Sequence, residues 1–224
     1  IPQDQWMTRD PLKARNKIEA SDVHCADKKA ADAMRAATKK ALHARDTVGG
    51  VFTVVAHGLP PGLGSYTRWD ARLDTRLAAA LMSIPAIKAA EVGLGMMAAY
   101  AFGSAVHDPI VRKGKGDWRR TRNNAGGLEG GTTNGQPLIV RAAMKPISTL
   151  SKPLASADIR TGRKVGAAVE RSDASAVPAA AIVGEAMVAI ELACAWRDKF
   201  GGDSLQEIRA TVRSYEKLVA RRLP

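Results

Sequence analysis

The spacing of apolar positions changes several times along the chain, and each change marks an element. Over 27–44, Ala30, Met34, Ala37 and Ala41 recur at helical spacing among lysines, which predicts a helix with a basic outer face. Gly49-Gly50 stops it, and the run 51–56 reads as a buried strand. Leu59-Pro60-Pro61-Gly62-Leu63-Gly64 is a rigid turn. A short apolar helix follows over 73–82, ended by Pro85, and 84–92 has strand character. From 103 to 136 the chain is polar and glycine-rich, with a basic run inside it; 137–144 returns to strand, and 163–170 is a further strand candidate. Residues 1–26 show no period and read as an irregular segment ahead of one domain over 27–224. The pattern is that of an α+β protein.

The C-terminal quarter is helical. Pro178 suits the first turn of a helix running to about Lys199. Gly201-Gly202 breaks it, and Ser204 with Glu207 has capping-box spacing for a last helix to about Arg222. The stretch 176–196 is the most apolar in the chain, yet it holds Glu185 and Glu191. A carboxylate at the middle of a bilayer costs about 2.5–3.5 kcal/mol, so a buried amphipathic helix is expected here and no membrane partner.

Composition narrows the function. Apolar residues are 46% of the chain and aromatics only 4%, so the core must use small aliphatic side chains. The net charge of +12 points to anionic partners. Cys25 and Cys194 are far apart and in no metal-ligand spacing, which excludes a disulfide framework and fits a reducing compartment. No two of the four histidines have a helical metal spacing, and no zinc site is expected. Walker A, dinucleotide and nucleophile-elbow patterns do not occur.

Four segments carry candidate chemistry. Gly126-Gly127-Leu128-Glu129-Gly130-Gly131 and the Gly135 that follows would let backbone approach a flat ring or form an anion nest; a flexible loop is the plain alternative. Lys145-Pro146-Ile147-Ser148-Thr149, directly after a strand, offers a cation and two hydroxyls that could grip a phosphate, or a solvated loop. Arg171-Ser172-Asp173 precedes the Pro178 helix: the arginine could bind an anion and the aspartate orient a ring N–H, or the two could form a local salt bridge. The run Arg112 to Arg122 has six cations and Trp118, suited either to RNA phosphates and base stacking or to a solvated surface loop.

Taken in order, these segments resemble chorismate synthase. The resemblance rests on Gly58 to Gly64, Leu73-Asp74, Met82 to Lys88, Ala125 to Gly131 with Thr133-Asn134-Gly135, Arg141 to Thr149, Arg171-Ser172-Asp173, Ala176 to Ala180 and Glu185. It implies part of a β-α-β sandwich, an antiparallel sheet packed on helices, assembled as a homotetramer. It implies 1,4-elimination of phosphate from 5-enolpyruvylshikimate 3-phosphate to give chorismate, with reduced flavin mononucleotide (FMN) required. Carried over, the FMN-contacting residues are Pro85, Ala86, Gly130, Lys145, Pro146, Ile147, Ser148, Thr149 and Arg171. Arg171 is also expected near the substrate, and Asp173 beside flavin N5. A cytoplasmic setting is implied, or a plastid or mitochondrion in a eukaryote.

The chain departs from the family where Gly93-Leu94-Gly95-Met96 stands for Gly-Asp-Gly-Phe and where Ala174-Ser175 follows Asp173. It resembles the C-terminal half only. The family's Gly-Glu-Ser-His-Gly segment, its second catalytic histidine and its Ser-Ala-Arg-Glu segment do not occur in these 224 residues. The expected enzyme therefore needs the other half, or a partner, to complete its site. The alternative is an inactive relative recruited as a basic subunit of a larger assembly containing RNA.

Overall fold

A computed structural model describes residues 10–114, 117–170 and 173–222. The chain divides into two compact units. One comprises residues up to Phe52, Ile84–Ala89 and Ala143–Val183; the other Thr53–Ser83, Ala90–Ala142 and Gly184 onward. A three-stranded sheet of order β1-β7-β2 uses β1 (Gly50–Ala56), β2 (Ile87–Val92) and β7 (Leu138–Met144). The chain is α+β, as its pattern predicts.

In the first unit, α2 (Lys28–His43) begins where Asp27 accepts the Ala30 N–H at 2.7 Å, a side-chain N-cap. Segment 1–26 is not wholly irregular: α1 (Pro11–Glu19) lies within it. Its apolar period is absent, but Asp10 caps the Lys13 N–H at 2.9 Å and Pro11 opens the first turn. The strand expected over 163–170 is shorter, β9 (Lys164–Gly166), and pairs antiparallel with β8 (Ala155–Ala157). Asp158 holds the connecting turn, accepting from the Arg160 and Thr161 N–H groups at 2.9 and 2.8 Å. Among the described residues the buried apolar ones of this unit are few: Cys25, Ala31, Phe52, Ile84, Ile87 and Ala180.

The second unit holds the larger core. Helix α3 (Leu73–Met82) buries Leu73, Leu77, Ala80 and Leu81, a stripe at helical spacing. Leu63, Leu138, Val140 and Val188 are also fully buried there, each contributing about 1.5–3 kcal/mol through burial. Arg76 on α3 reaches Glu191 at 2.9 Å and Asp198 at 3.0 Å on α5 (Val177–Phe200). Helix α6 (Leu205–Arg222) opens on the predicted capping box: Ser204 Oγ accepts the Glu207 N–H at 3.2 Å, and Glu207 accepts the Ser204 N–H at 3.1 Å. Tyr215 on α6 donates to the Pro61 carbonyl at 2.8 Å while Lys199 stands 4.5 Å over its ring, which fixes the Pro60-Pro61-Gly62 turn to the helices.

The polar stretch expected over 103–136 is structured. It contains a short α4 (Gly103–Val106) and two antiparallel hairpins, β3 (Ile110–Gly114) with β4 (Asp117–Arg120), and β5 (Leu128–Glu129) with β6 (Thr132–Thr133).

Helix α5 differs from the buried amphipathic helix expected. Only 22% of its most apolar window is buried, and Ile182, Val183 and Ile190 are exposed. By length and composition alone α5 could cross a membrane. Glu191, paired with Arg76, is the kind of ionised contact a lipid-facing helix avoids.

Candidate functional site

The first unit brings together most of the residues assigned to the phosphate grip. Strand β7 ends at Met144, so Lys145 to Thr149 leave the sheet as a loop. The Lys145 N–H donates to the Ala86 carbonyl at 2.9 Å, which places Pro85-Ala86 against the loop's first residue. Ala86 has φ +68°, a left-handed conformation costly for any residue with a β-carbon. Lys145, Pro146 and Ser148 are exposed, while Ile147 and Thr149 are half-buried. The loop presents an ammonium and two hydroxyls within five residues, the donor set a phosphate requires.

Asp173 is exposed and lines a shallow cavity of about 60 Å³ with Arg45, Asp46, Thr47 and Ser151. Ligand pockets for cofactor-sized molecules enclose about 300–1,000 Å³. This cavity is too small for a flavin ring, and none of Lys145 to Thr149 lines it. Arg171 and Ser172 lie outside the described residues.

Gly130 belongs to the second unit. It sits exposed at the tip of the β5–β6 hairpin with φ +59°, and a β-carbon there would meet nothing within 4 Å. Its neighbours have another purpose. The Gly126 and Gly127 N–H groups donate to the Asn123 backbone carbonyl and to Asn123 Oδ1, at 3.1 and 2.8 Å. A β-carbon on Gly127 would approach the Pro137 carbonyl oxygen to 2.5 Å. This part of the glycine segment is neither a nest nor a flexible loop; it lets two backbones pack closely. Thr133 fixes it further, donating to the Pro60 carbonyl at 2.6 Å and accepting the Leu63 N–H at 2.8 Å.

Three cations of the basic run, Arg112, Arg120 and Arg122, are engaged within the chain, and Lys115 lies outside the described residues. The Arg112 guanidinium lies 5.5 Å from the centre of the Trp118 ring, and Arg120 pairs with Glu129. Arg122 donates to the carbonyls of Ser104, Ala105 and His107. Asp108 accepts the N–H groups of Asn124 and Ala125 at 2.8 and 2.9 Å, so α4 and the glycine segment are clamped from both sides.

Sequence reading missed the residues between α2 and β1 that touch the Lys145–Thr149 loop. Thr47 Oγ1 donates to the Ile147 carbonyl at 2.6 Å. A β-carbon on Gly49 would lie 2.3 Å from the Met144 carbonyl oxygen. The one signal available was the Gly49-Gly50 pair, which marks close approach as well as a helix stop.

The chain is a two-unit α+β protein with a lysine-hydroxyl loop at the end of a strand. Comparison with known proteins is specific: the chorismate synthase family profile matches residues 7–196. Chorismate synthase of Rubrobacter xylanophilus is 52% identical over 203 residues, covering 91% of this chain and 52% of the relative. That of Trichlorobacter lovleyi is 55% identical over 203 residues, covering 88% and 52%. A crystal structure of chorismate synthase matches with a TM-score of 0.81 at 38% identity, over 98% of this chain and 58% of the other. The chain belongs to the chorismate synthase family. It spans about half the length of the curated relatives it matches.

Proposed function

We propose that residues 27–224 are the C-terminal half of a chorismate synthase-like domain and hold the FMN phosphate for 1,4-elimination of phosphate from 5-enolpyruvylshikimate 3-phosphate. The observation that carries this is the Lys145 to Ala86 hydrogen bond. It joins, across about sixty residues of sequence, two segments to which the family resemblance assigns FMN contact.

In this reading Lys145, Ser148 and Thr149 bind the cofactor phosphate, and Ala86 lets backbone approach because its side chain is a single methyl. Asp173, with Arg171, orients the flavin and the substrate anion. A bound reduced flavin would supply electron density to the reacting substrate. The substrate loses one proton and one phosphate and gains one carbon–carbon double bond, so there is no net oxidation. The net charge of +12 favours capture of a substrate carrying carboxylates and phosphate.

The open surface around Asp173 and the exposed α5 residues leave room for the remaining half of the fold, or for further copies in a homotetramer, to complete the site. Free Cys25 and Cys194 suit a reducing compartment such as the cytoplasm. The test is anaerobic chorismate formation from 5-enolpyruvylshikimate 3-phosphate and chemically reduced FMN, using natively purified material. Chorismate is expected, with Asp173→Ala keeping FMN affinity but depressing turnover. Full turnover in Asp173→Ala would remove the aspartate from the reaction.

A further inference from the structure

Segment 45–49 touches the Lys145–Thr149 loop and the residue after Asp173. Thr47 Oγ1 donates to the Ile147 carbonyl at 2.6 Å, a contact spanning 100 residues. The Val48 N–H donates to the Ala174 carbonyl at 2.8 Å, directly beside Asp173. The Arg45 carbonyl accepts the Lys152 N–H at 3.0 Å, and Arg45 takes a left-handed φ of +55°. Gly49 lies so close to the Met144 carbonyl that no β-carbon fits between them. Arg45, Thr47, Val48 and Gly49 thus fix the Lys145–Thr149 loop at its beginning and middle, the backbone at Lys152 just beyond it, and the residue after Asp173.

We propose that Thr47 is a positioning residue for the cofactor phosphate. Its hydroxyl holds the Ile147 carbonyl in the register that presents Lys145, Ser148 and Thr149 together beside Asp173. The Arg45 and Val48 bonds are made by backbone and would survive most substitutions, and the Gly49 approach needs only the absence of a side chain; the Thr47 bond alone depends on a side-chain donor. Valine fills the same volume and offers no donor, so it separates the bond from the packing. A purely structural hydroxyl would affect stability and leave ligand preference alone. A positioning hydroxyl must change how the loop discriminates a phosphorylated flavin from one without phosphate. This inference rests on the flavin-phosphate reading above.

The experiment compares the full chain, Thr47→Val and Thr47→Ser, titrated with FMN and with riboflavin, alongside amide hydrogen exchange over 145–152. Thr47→Val is expected to weaken FMN about five- to tenfold, the loss of one hydrogen bond, while riboflavin changes less than about twofold. Exchange over 145–152 should quicken, and Thr47→Ser should restore both readouts. Unchanged FMN preference in Thr47→Val, in a wild type that prefers FMN, overturns the proposal. A wild type with no preference for FMN sinks the flavin reading itself. The clasp is then judged by exchange alone, and unchanged exchange in Thr47→Val overturns it. Should Thr47→Val not fold, Lys152→Pro deletes the donor to Arg45 instead. Faster exchange over 145–149 then supports the clasp, and unchanged exchange refutes it.

Discussion

Ala86 carries a β-carbon at φ +68°, where such a residue costs about 1–2 kcal/mol. Glycine at that position would remove the cost but add about 0.5–1 kcal/mol of unfolded-chain entropy. Ala86→Gly should therefore raise stability by up to about 1.5 kcal/mol in urea unfolding; a fall in stability would show that the methyl packs usefully. His57 makes a pH prediction. Burial holds its imidazole below the usual 6.5. As pH falls through 6.5 the unfolded chain takes up a proton that the folded chain resists, so stability declines below that point and is flat above it. His57→Gln should flatten this slope in unfolding midpoints compared at about pH 7.5 and 5.5. Residue types in the phosphate loop were legible because a lysine and two hydroxyls after a strand are few and adjacent. Thr47 was not, because its partner lies 100 residues away and a threonine beside a helix end reads as a turn.

Between elements, Arg76 is the tie from α3 to α5 in the second unit. Its partner Glu191 is partly shielded from water while Asp198 is exposed, so the Glu191 contact dominates, and Arg76→Ala should cost about 1.5–3 kcal/mol in unfolding free energy. A loss under about 0.5 kcal/mol would place this pair among ordinary surface ion pairs. Gly49→Ala should cost more than a typical surface change, since its β-carbon would collide with backbone rather than with a movable side chain. Helices α2, α5 and α6 were legible because each is long and has breaks or caps at its ends. Strands β3, β4 and β8 were not, and β9 was read only as part of a longer candidate over 163–170: these strands are three to five residues long and largely polar or exposed, so no alternation marks them. They form through backbone pairing and turn residues such as Asp158. Helix α5 shows the limit of reading burial from hydrophobicity, since an apolar sequence says what could be covered and not what covers it.

At the scale of the whole molecule, family membership was the most legible property, because the order of many weak motifs is specific where each alone is not. The glycine segment shows the converse. Its composition suggested an anion nest or a flexible loop, and the N–H groups of Gly126 and Gly127 are instead spent inside the chain. What unites the account is the claim that the Lys145–Thr149 loop binds the phosphate of a flavin. The most direct test is the affinity of FMN relative to riboflavin, measured for the wild type and for Lys145→Ala. The wild type should prefer FMN, and Lys145→Ala should erase most of that preference, with a loss of about 1.5–3 kcal/mol on FMN alone. Equal weakening of both ligands, or a wild type that binds them alike, would contradict the assignment.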